Sequence, residues 1–331
     1  MAAMRGHAEV VESIEGFVEE NLSLLKEVPD SWQPSDVLPD MKGEGWRESV
    51  RLLRDQARGV PDEILIVLVG NAVTEEALPT YQTMLNRHPG ITDETGRSDS
   101  PWARWTRGWT AEENRHGEIL SRYLYLSGRV NMRAFEITTQ HLIRNGFDPK
   151  TDNDPYRGLI YTSFQERATK ISHGNTARLA NEKGDPTLGK ICALVTGDES
   201  RHEEAYKRFA GKIMEVDPSE AVQAFAQIMK NTVTMPARLM ADGVATDLFA
   251  QFAEVAQRIG VYTMRDYADI IDHLVDYWKI SSLSGLTGEA AKGQDYLGGL
   301  AQRYRGLADR MEKQPEGATK RPFSWIFNRS V

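Results

Sequence analysis

Along most of the chain, apolar positions recur every three or four residues, the period of a helix with one buried face, and strict alternation is scarce. After a frayed start, Val10 to Lys26 reads as an amphipathic helix. The stretch VPDSWQPSDVLPD, with Pro29, Pro34 and Pro39, interrupts the period and predicts an extended linker, because each proline fixes its φ and lacks an N–H. A helix at about 45–59 follows. Pro61-Asp62-Glu63 opens a long helix with proline in its first turn, running to about Arg87. Pro79 inside it should kink it and free a carbonyl near Glu75. Beyond the loop HPGITDETGRSDSP, the pattern predicts helices from Trp102 to Leu126, Asn131 to Asn145, Tyr156 to Lys183 and Thr187 to Glu215. Four more fall at about 219–233, 246–258, 263–282 and 288–312, and RPFSWIFNRSV predicts a short hairpin. No shift in composition divides the chain. The expectation is an all-α, single-domain helical bundle over 1–331, with an N-terminal arm at about 1–44 and a C-terminal tail at about 313–331.

Composition narrows the classes. Of 331 residues, 40% are hydrophobic and 27% charged, as in ordinary soluble proteins. A net charge of -8 argues against nucleic-acid binding, which needs a basic surface. The single cysteine, Cys192, excludes intrachain disulfides and cysteine metal sites and reads as a small buried thiol. The longest apolar run, Ile64 to Val69, is too short to span a bilayer, so no membrane insertion is expected. The start, MAAMRGHAEVVESIEG, lacks a signal peptide's apolar core and is acidic, unlike a transit peptide. The protein is expected in a bacterial cytoplasm or, as a processed plant protein, in the plastid stroma.

Candidate chemistry lies in the long helices. Of the seven histidines, only two follow a carboxylate by three residues, in Glu113–His116 and Glu199–His202. That spacing puts acid and imidazole on one helix face. The other two long helices each carry a glutamate in an apolar or small-residue setting, in NAVTEEALP and YTSFQERAT (Glu166). The order Glu, Glu-x-x-His, Glu, Glu-x-x-His is that of ferritin-like bundles holding two metals with bridging carboxylates. Four inward carboxylates without a cation would be costly to bury, whereas two iron ions suit oxygen donors with one nitrogen each. Spacing selects Glu113 over Glu112, which is left to solvent. It does not separate Glu75 from Glu76.

The strings VTEEALPTYQTMLN, WTAEENRHGEILSRYLYLSGRV, YTSFQERATKISHGNTAR and GDESRHEEAY closely resemble the soluble acyl-acyl-carrier-protein desaturases. SWQPSDVLPD and PFSWIFNR also match, so the resemblance covers essentially the whole chain. It implies a homodimer whose subunit has eleven helices around a di-iron four-helix bundle. The family uses O2 and two electrons from ferredoxin to place a cis double bond in an acyl chain carried by acyl carrier protein, commonly stearoyl between carbons nine and ten. Carried over, Glu75, Glu113, His116, Glu166, Glu199 and His202 match the iron ligands, with Glu113 and Glu199 bridging. Thr169 matches an active-site threonine; spacing alone equally fits a helix threonine bonded back to a carbonyl. Trp32 and Asp198 match an electron route, with His116 as the imidazole that Asp198 would hold.

The stretch RHPGITDETG departs from the family after the first bundle helix. Arg87 and His88 there either influence carrier docking and chain fit or form a solvated helix end, where a cation suits the helix dipole. Tyr81, Met84, Leu159 and Thr162, one turn from the ligands, are expected channel walls. The rival readings are an iron-storage protein, and another di-iron oxygenase or radical protein of the ribonucleotide-reductase type, which wants a tyrosine beside the irons.

Overall fold

The computed structural model describes residues 2–312 and 320–331; the first residues of the expected tail, 313–319, lie outside them. The N-terminal segment is helical earlier than expected, with α1 (Ala2–Ser13) and α2 (Glu15–Asn21) separated at Ile14. The proline-rich stretch is not simply extended. Val28–Asp30 and Pro34–Asp36 form 3-10 turns that accept proline in their first positions, and the Asp36 carboxylate accepts the Gln33 N–H at 2.8 Å. The chain continues through α3 (Trp46–Arg58), α4 (Asp62–Glu76) and α5 (Leu78–Leu85). Pro79 therefore ends one helix and starts another instead of kinking a single one, with Ala77 at φ -84° and ψ 14° between them.

Next come α6 (Pro101–Ser127), α7 (Met132–Asn145), α8 (Pro155–Glu182) and α9 (Pro186–Val216). Three of these start one residue before the expected position, because Ser100, Asp154 and Asp185 cap them and the following proline fills the first helical site. Their side chains accept the N–H groups of Ala103, Tyr156 and Leu188. After α10 (Pro218–Lys230) lie α11 (Leu248–Arg258) and α12 (Met264–Tyr277), the latter stopped before Lys279 at φ 51°. The last expected helix is two, α13 (Gly288–Gly298) and α14 (Leu300–Glu312), parted at Gly299. The hairpin is present: β1 (Pro322–Phe323) pairs antiparallel with β2 (Arg329–Ser330).

Helices α4, α6, α8 and α9 form the bundle, packed around a ring in the order α4, α6, α9, α8. The run Ile64–Val69 is buried on every side, so α4 is central, as an all-round apolar helix must be. Its apolar cluster takes in Cys192, as expected of a structural thiol, and Trp325 from the tail. Trp325 donates to Thr138 Oγ1 at 2.9 Å, pinning the hairpin to α7. Among the described residues no helix is long and apolar enough to cross a membrane.

Candidate metal centre

All six expected ligands converge in the middle of the bundle, and all are buried. Glu75 lies in the last turn of α4, just before the break at Ala77. Helix α6 reaches that break through Gly117, at which a Cβ would stand 3.2 Å from the Glu76 nitrogen and 3.4 Å from the Glu75 oxygen. Two groups of possible ligand atoms result, each within a 4.8 Å span: Glu75, Glu113, His116 and Glu199; and Glu113, Glu166, Glu199 and His202. Glu113 and Glu199 belong to both. The carboxylate of Glu113 sits between the two imidazoles, 3.2 Å from His116 Nδ1 by one oxygen and 2.7 Å from His202 Nδ1 by the other.

Both histidines turn Nδ1 inward without a hydrogen-bond partner, and one oxygen each of Glu113 and Glu199 is likewise orphaned. Buried groups of this kind are costly unless a ligand satisfies them. The outward Nε2 atoms are held by carboxylates, His116 by Asp198 at 3.4 Å and His202 by Glu112 at 2.9 Å. An imidazole fixed through one nitrogen by a carboxylate presents the other to a metal. Four carboxylates and two neutral imidazoles carry the charge that two divalent cations neutralise. Burial raises Glu75, and burial with the charges of Glu199 and Glu113 pushes Glu166 well above the carboxyl range. Burial lowers His202, but Glu112 and Glu113 outweigh it and lift the imidazole to about 9. Residues and chemistry fit a pair of hard divalent ions such as iron.

Glu112 is not solvated, contrary to the spacing argument. It is 3% exposed, accepts Arg201 Nη2 at 2.7 Å and the Lys26 N–H at 2.7 Å, and holds His202. Burial alone would raise its carboxyl, yet His202 and Arg201 hold it down at about 2. The signal was present in the sequence: Glu112-Glu113-Asn114-Arg115-His116 and Asp198-Glu199-Ser200-Arg201-His202 share one acid-Glu-x-Arg-His pattern. The acid preceding each motif serves the histidine of the other helix. His173 was also passed over, having no acid three residues earlier; it meets Glu75 Oε1 at 2.9 Å from α8. Trp109 was missed as well, and donates to Glu166 Oε1 at 3.1 Å.

Trp32 donates its indole N–H to Asp198 Oδ2 at 2.9 Å and lies parallel to the His116 ring, 6.2 Å between centroids. Asp198 also accepts from Arg115 Nη2 at 2.9 Å, and that guanidinium covers the Trp32 ring. The Thr169 hydroxyl makes the back-bond that spacing allows and also reaches the cluster. It is 3.1 Å from the Gln165 carbonyl and 2.8 Å from Glu199 Oε2.

A groove of about 510 Å³ runs between α8, α11 and the 231–238 loop down to Glu75 and Thr169, lined mostly by apolar groups such as Phe249, Phe252 and Tyr267. A smaller cavity of about 70 Å³ shares Thr74, Glu75, Gln165 and Thr169 with it and continues past the carboxylates. Its walls include Tyr81, Met84 and Thr162 as expected; Leu159 does not line it. Arg87 is exposed, like a solvated helix end, but His88 is not: its ring is 1% exposed and packs on Gly158, where a Cβ would collide with it at 2.4 Å.

A family model described as fatty acid desaturase matches residues 6–327. The chain is 56% identical over 324 residues to "Acyl-[acyl-carrier-protein] desaturase, chloroplastic" of Cucumis sativus, covering 98% of this chain and 82% of the relative. It is 55% identical over 325 residues, with the same coverage, to "Stearoyl-[acyl-carrier-protein] 9-desaturase 1, chloroplastic" of Arabidopsis thaliana. In fold it is similar to the putative acyl-ACP desaturase DesA2 of Mycobacterium tuberculosis H37Rv, with a TM-score of 0.53, 17% identity and coverage of 86% of this chain and 99% of that one. The chain belongs to the acyl-acyl-carrier-protein desaturase family of fatty acid desaturases.

Proposed function

We propose that this desaturase uses O2 to place a cis double bond in a saturated acyl chain presented by acyl carrier protein, with stearoyl desaturated between carbons nine and ten as the substrate of first choice. The observation that carries this reading is the pair of four-residue groups sharing Glu113 and Glu199, set at the bottom of an apolar groove. Glu75 and His116 would complete one iron site, Glu166 and His202 the other. Two irons there would supply the oxidising power needed to take hydrogen from unactivated methylenes, which no side-chain acid or base possesses.

The chain's own residues do the rest. The groove has a volume typical of a ligand site, roughly 300–1,000 Å³, and its apolar walls keep an alkyl chain out of water and direct it past Glu75 and Thr169. Tyr81 and Met84 bound the space beyond, so one carbon pair is presented to the carboxylate cluster while the methyl end enters the smaller cavity. The Thr169 hydroxyl can turn from a carbonyl to Glu199, placing a movable proton at the cluster's edge. Asp198 holds His116, and Trp32 holds Asp198, forming a contact path for electrons from ferredoxin through the bundle wall. The assembly is a homodimer on this reading. A storage protein has no use for the groove, which favours the desaturase over that rival.

The test is mass spectrometry of products from palmitoyl and stearoyl carrier protein, with iron-loaded enzyme, ferredoxin and O2. A single cis-monoene from stearoyl, with the bond between carbons nine and ten, is expected. O2 consumption without any unsaturated product would refute the reading.

A further inference from the structure

Helices α6 and α9 carry a line of aromatic residues that desaturation itself does not use. On α6, Trp102, Trp105 and Trp109 are spaced by three and four residues, and Glu113 and His116 continue the series by four and three. That spacing puts all five on one helix face. The three tryptophans are buried. On α9, Tyr206 and Phe209 follow His202 by four and seven residues and fit between the indoles. The Trp109 ring stands 6.5 Å from the His202 ring and 6.3 Å from that of Tyr206. Trp105 lies 5.7 Å from Tyr206 and 5.1 Å from Phe209, and Trp102 lies 5.1 Å from Phe209. The row begins at the cluster, where Trp109 donates to Glu166 Oε1 at 3.1 Å. It ends in the first turn of α6, where Trp102 donates to the Val11 carbonyl of α1 at 3.0 Å. At a rise of about 1.5 Å per residue, it covers roughly 10 Å.

Packing alone does not ask for this composition. Phenylalanine or leucine would fill the same space without a polar atom, and a buried indole N–H ordinarily finds an acceptor. Trp105 Nε1 has none among the described residues, and the Tyr206 hydroxyl is likewise without a partner there. What an indole adds is ease of one-electron oxidation, which aliphatic side chains and phenylalanine resist. Electron transfer falls off steeply with the gap between rings, so a row of rings in contact carries charge far better than the same span of aliphatic core. The row also meets the cluster at its own place. The Trp32–Asp198 contact arrives at His116, whereas Trp109 arrives at Glu166 and His202, which belong to the other group of four.

We propose that the tryptophan row drains oxidising equivalents from the iron pair when O2 reacts with no acyl chain in the groove. The inference rests on the desaturase reading and adds a safeguard to it. Reduction of O2 to two waters takes four electrons. The reduced iron pair supplies two. In desaturation the acyl chain supplies the other two along with its two hydrogens; without it they have to come from the protein. Trp109 gives them up one at a time, its indole proton passing to the Glu166 oxygen it faces. Trp105 then refills Trp109, the proton returns, and the electron vacancy moves outward to Trp102. There a soluble one-electron reductant of the ascorbate or thiol class fills it, and solvent provides the protons for water. Oxidation is thereby kept away from the six buried ligands and carried to the end of the helix.

The test uses the iron-loaded full-length protein, chemically reduced and mixed with O2 either alone or with stearoyl carrier protein. Samples frozen during the reaction are read by electron paramagnetic resonance. After repeated cycles, peptides are searched for oxidised tryptophan by mass spectrometry. Without the acyl carrier, an organic radical is expected that narrows when the protein carries ring-deuterated tryptophan, and oxidation should collect at Trp102. With stearoyl carrier protein both signals should fall. Trp105→Phe, which leaves the Trp109–Glu166 contact in place, should bind iron as wild type does but hold its oxidation at Trp109. Trp102→Phe, at the outer end, should shift oxidation to Trp105 and guards against misfolding of the first variant. An unchanged pattern of oxidation in both variants overturns the relay, as does the absence of a tryptophan radical in wild type that still desaturates stearoyl. No double bond in the stearoyl arm would instead sink the desaturase reading itself, and the relay with it.

Discussion

Glu112 holds His202: the carboxylate that precedes one ligand motif grips the imidazole of the other, at 2.9 Å. Asp198 returns the contact to His116. The two motifs thus lock each other's rings, and neither helix can present its histidine alone. Removing such a partner ordinarily costs about 10–100-fold in metal affinity. Glu112→Ala should therefore retain its helices by circular dichroism but release iron to a chelator about 10–100-fold more readily. Chelator competition with the purified protein decides this, and unaltered affinity would reduce Glu112 to a buried surface anchor for Arg201.

Thr169 should govern the use of oxygen without holding metal. Its single proton serves either a backbone carbonyl or Glu199, at nearly equal distances. Thr169→Val keeps the shape and removes that proton. Iron content should stay at the wild-type level, while double bonds formed per O2 consumed should fall, measured by oxygen electrode and product quantification together. Unchanged coupling would leave the hydroxyl as a helix back-bond only.

The Trp32–Asp198 contact should matter for electron delivery and not for the chemistry that follows. Trp32→Phe with Asp198→Asn is expected to slow ferredoxin-driven turnover yet allow a chemically pre-reduced enzyme one full turnover. Equal loss in both assays would mean a damaged site, since Asp198 also holds His116.

The amino-terminal helix should loosen at alkaline pH. His7 of α1 stacks on Tyr156 at 3.9 Å and meets Asp154, the cap of α8, at 3.2 Å; Glu220 faces it at 3.6 Å, with Asp217 nearby. The Asp154 hydrogen bond and charge raise His7 above its ordinary 6.5 despite burial. A raised imidazole stabilises fully below 6.5 and ceases to do so as pH climbs through its folded value. Asp154, which burial alone would raise, is held below its ordinary 3.8 by His7, so its share is present above 3.8 and is lost only as pH falls through the lowered value. Hydrogen exchange of residues 2–13 should accelerate on the alkaline side in wild type, after correction for the intrinsic rate, and His7→Gln should remove the pH dependence.

The bundle and the convergence of Glu113, His116, Glu199 and His202 were legible because long helices with period 3.6 and a spaced Glu-x-x-His carry their geometry in the sequence, whereas spacing left Glu75 and Glu76 open and the resemblance selected Glu75. What escaped were residues whose role depends on a neighbouring helix. Glu112 and Glu113 are adjacent, and intrahelix spacing correctly aims Glu113 inward, yet only the packing of α6 on α9 shows that Glu112 is buried too. His173 escaped for the same reason, since its acid comes from α4. The break at Ala77 was misjudged as a kink because proline marks a disruption without saying whether the helix resumes on a new axis. His88 was ambiguous between solvent and core, and the side chain of Gly158, by its absence, admits it to the core.

The sharing of Glu113 and Glu199 by two metal sites is most directly tested by iron K-edge X-ray absorption on the iron-loaded protein, together with its iron content. Two irons per chain are expected, with an iron–iron scattering path of roughly 3.5–4 Å, lost in both Glu113→Ala and Glu199→Ala. One iron per chain, or two with no mutual scattering, would contradict a shared, carboxylate-bridged pair.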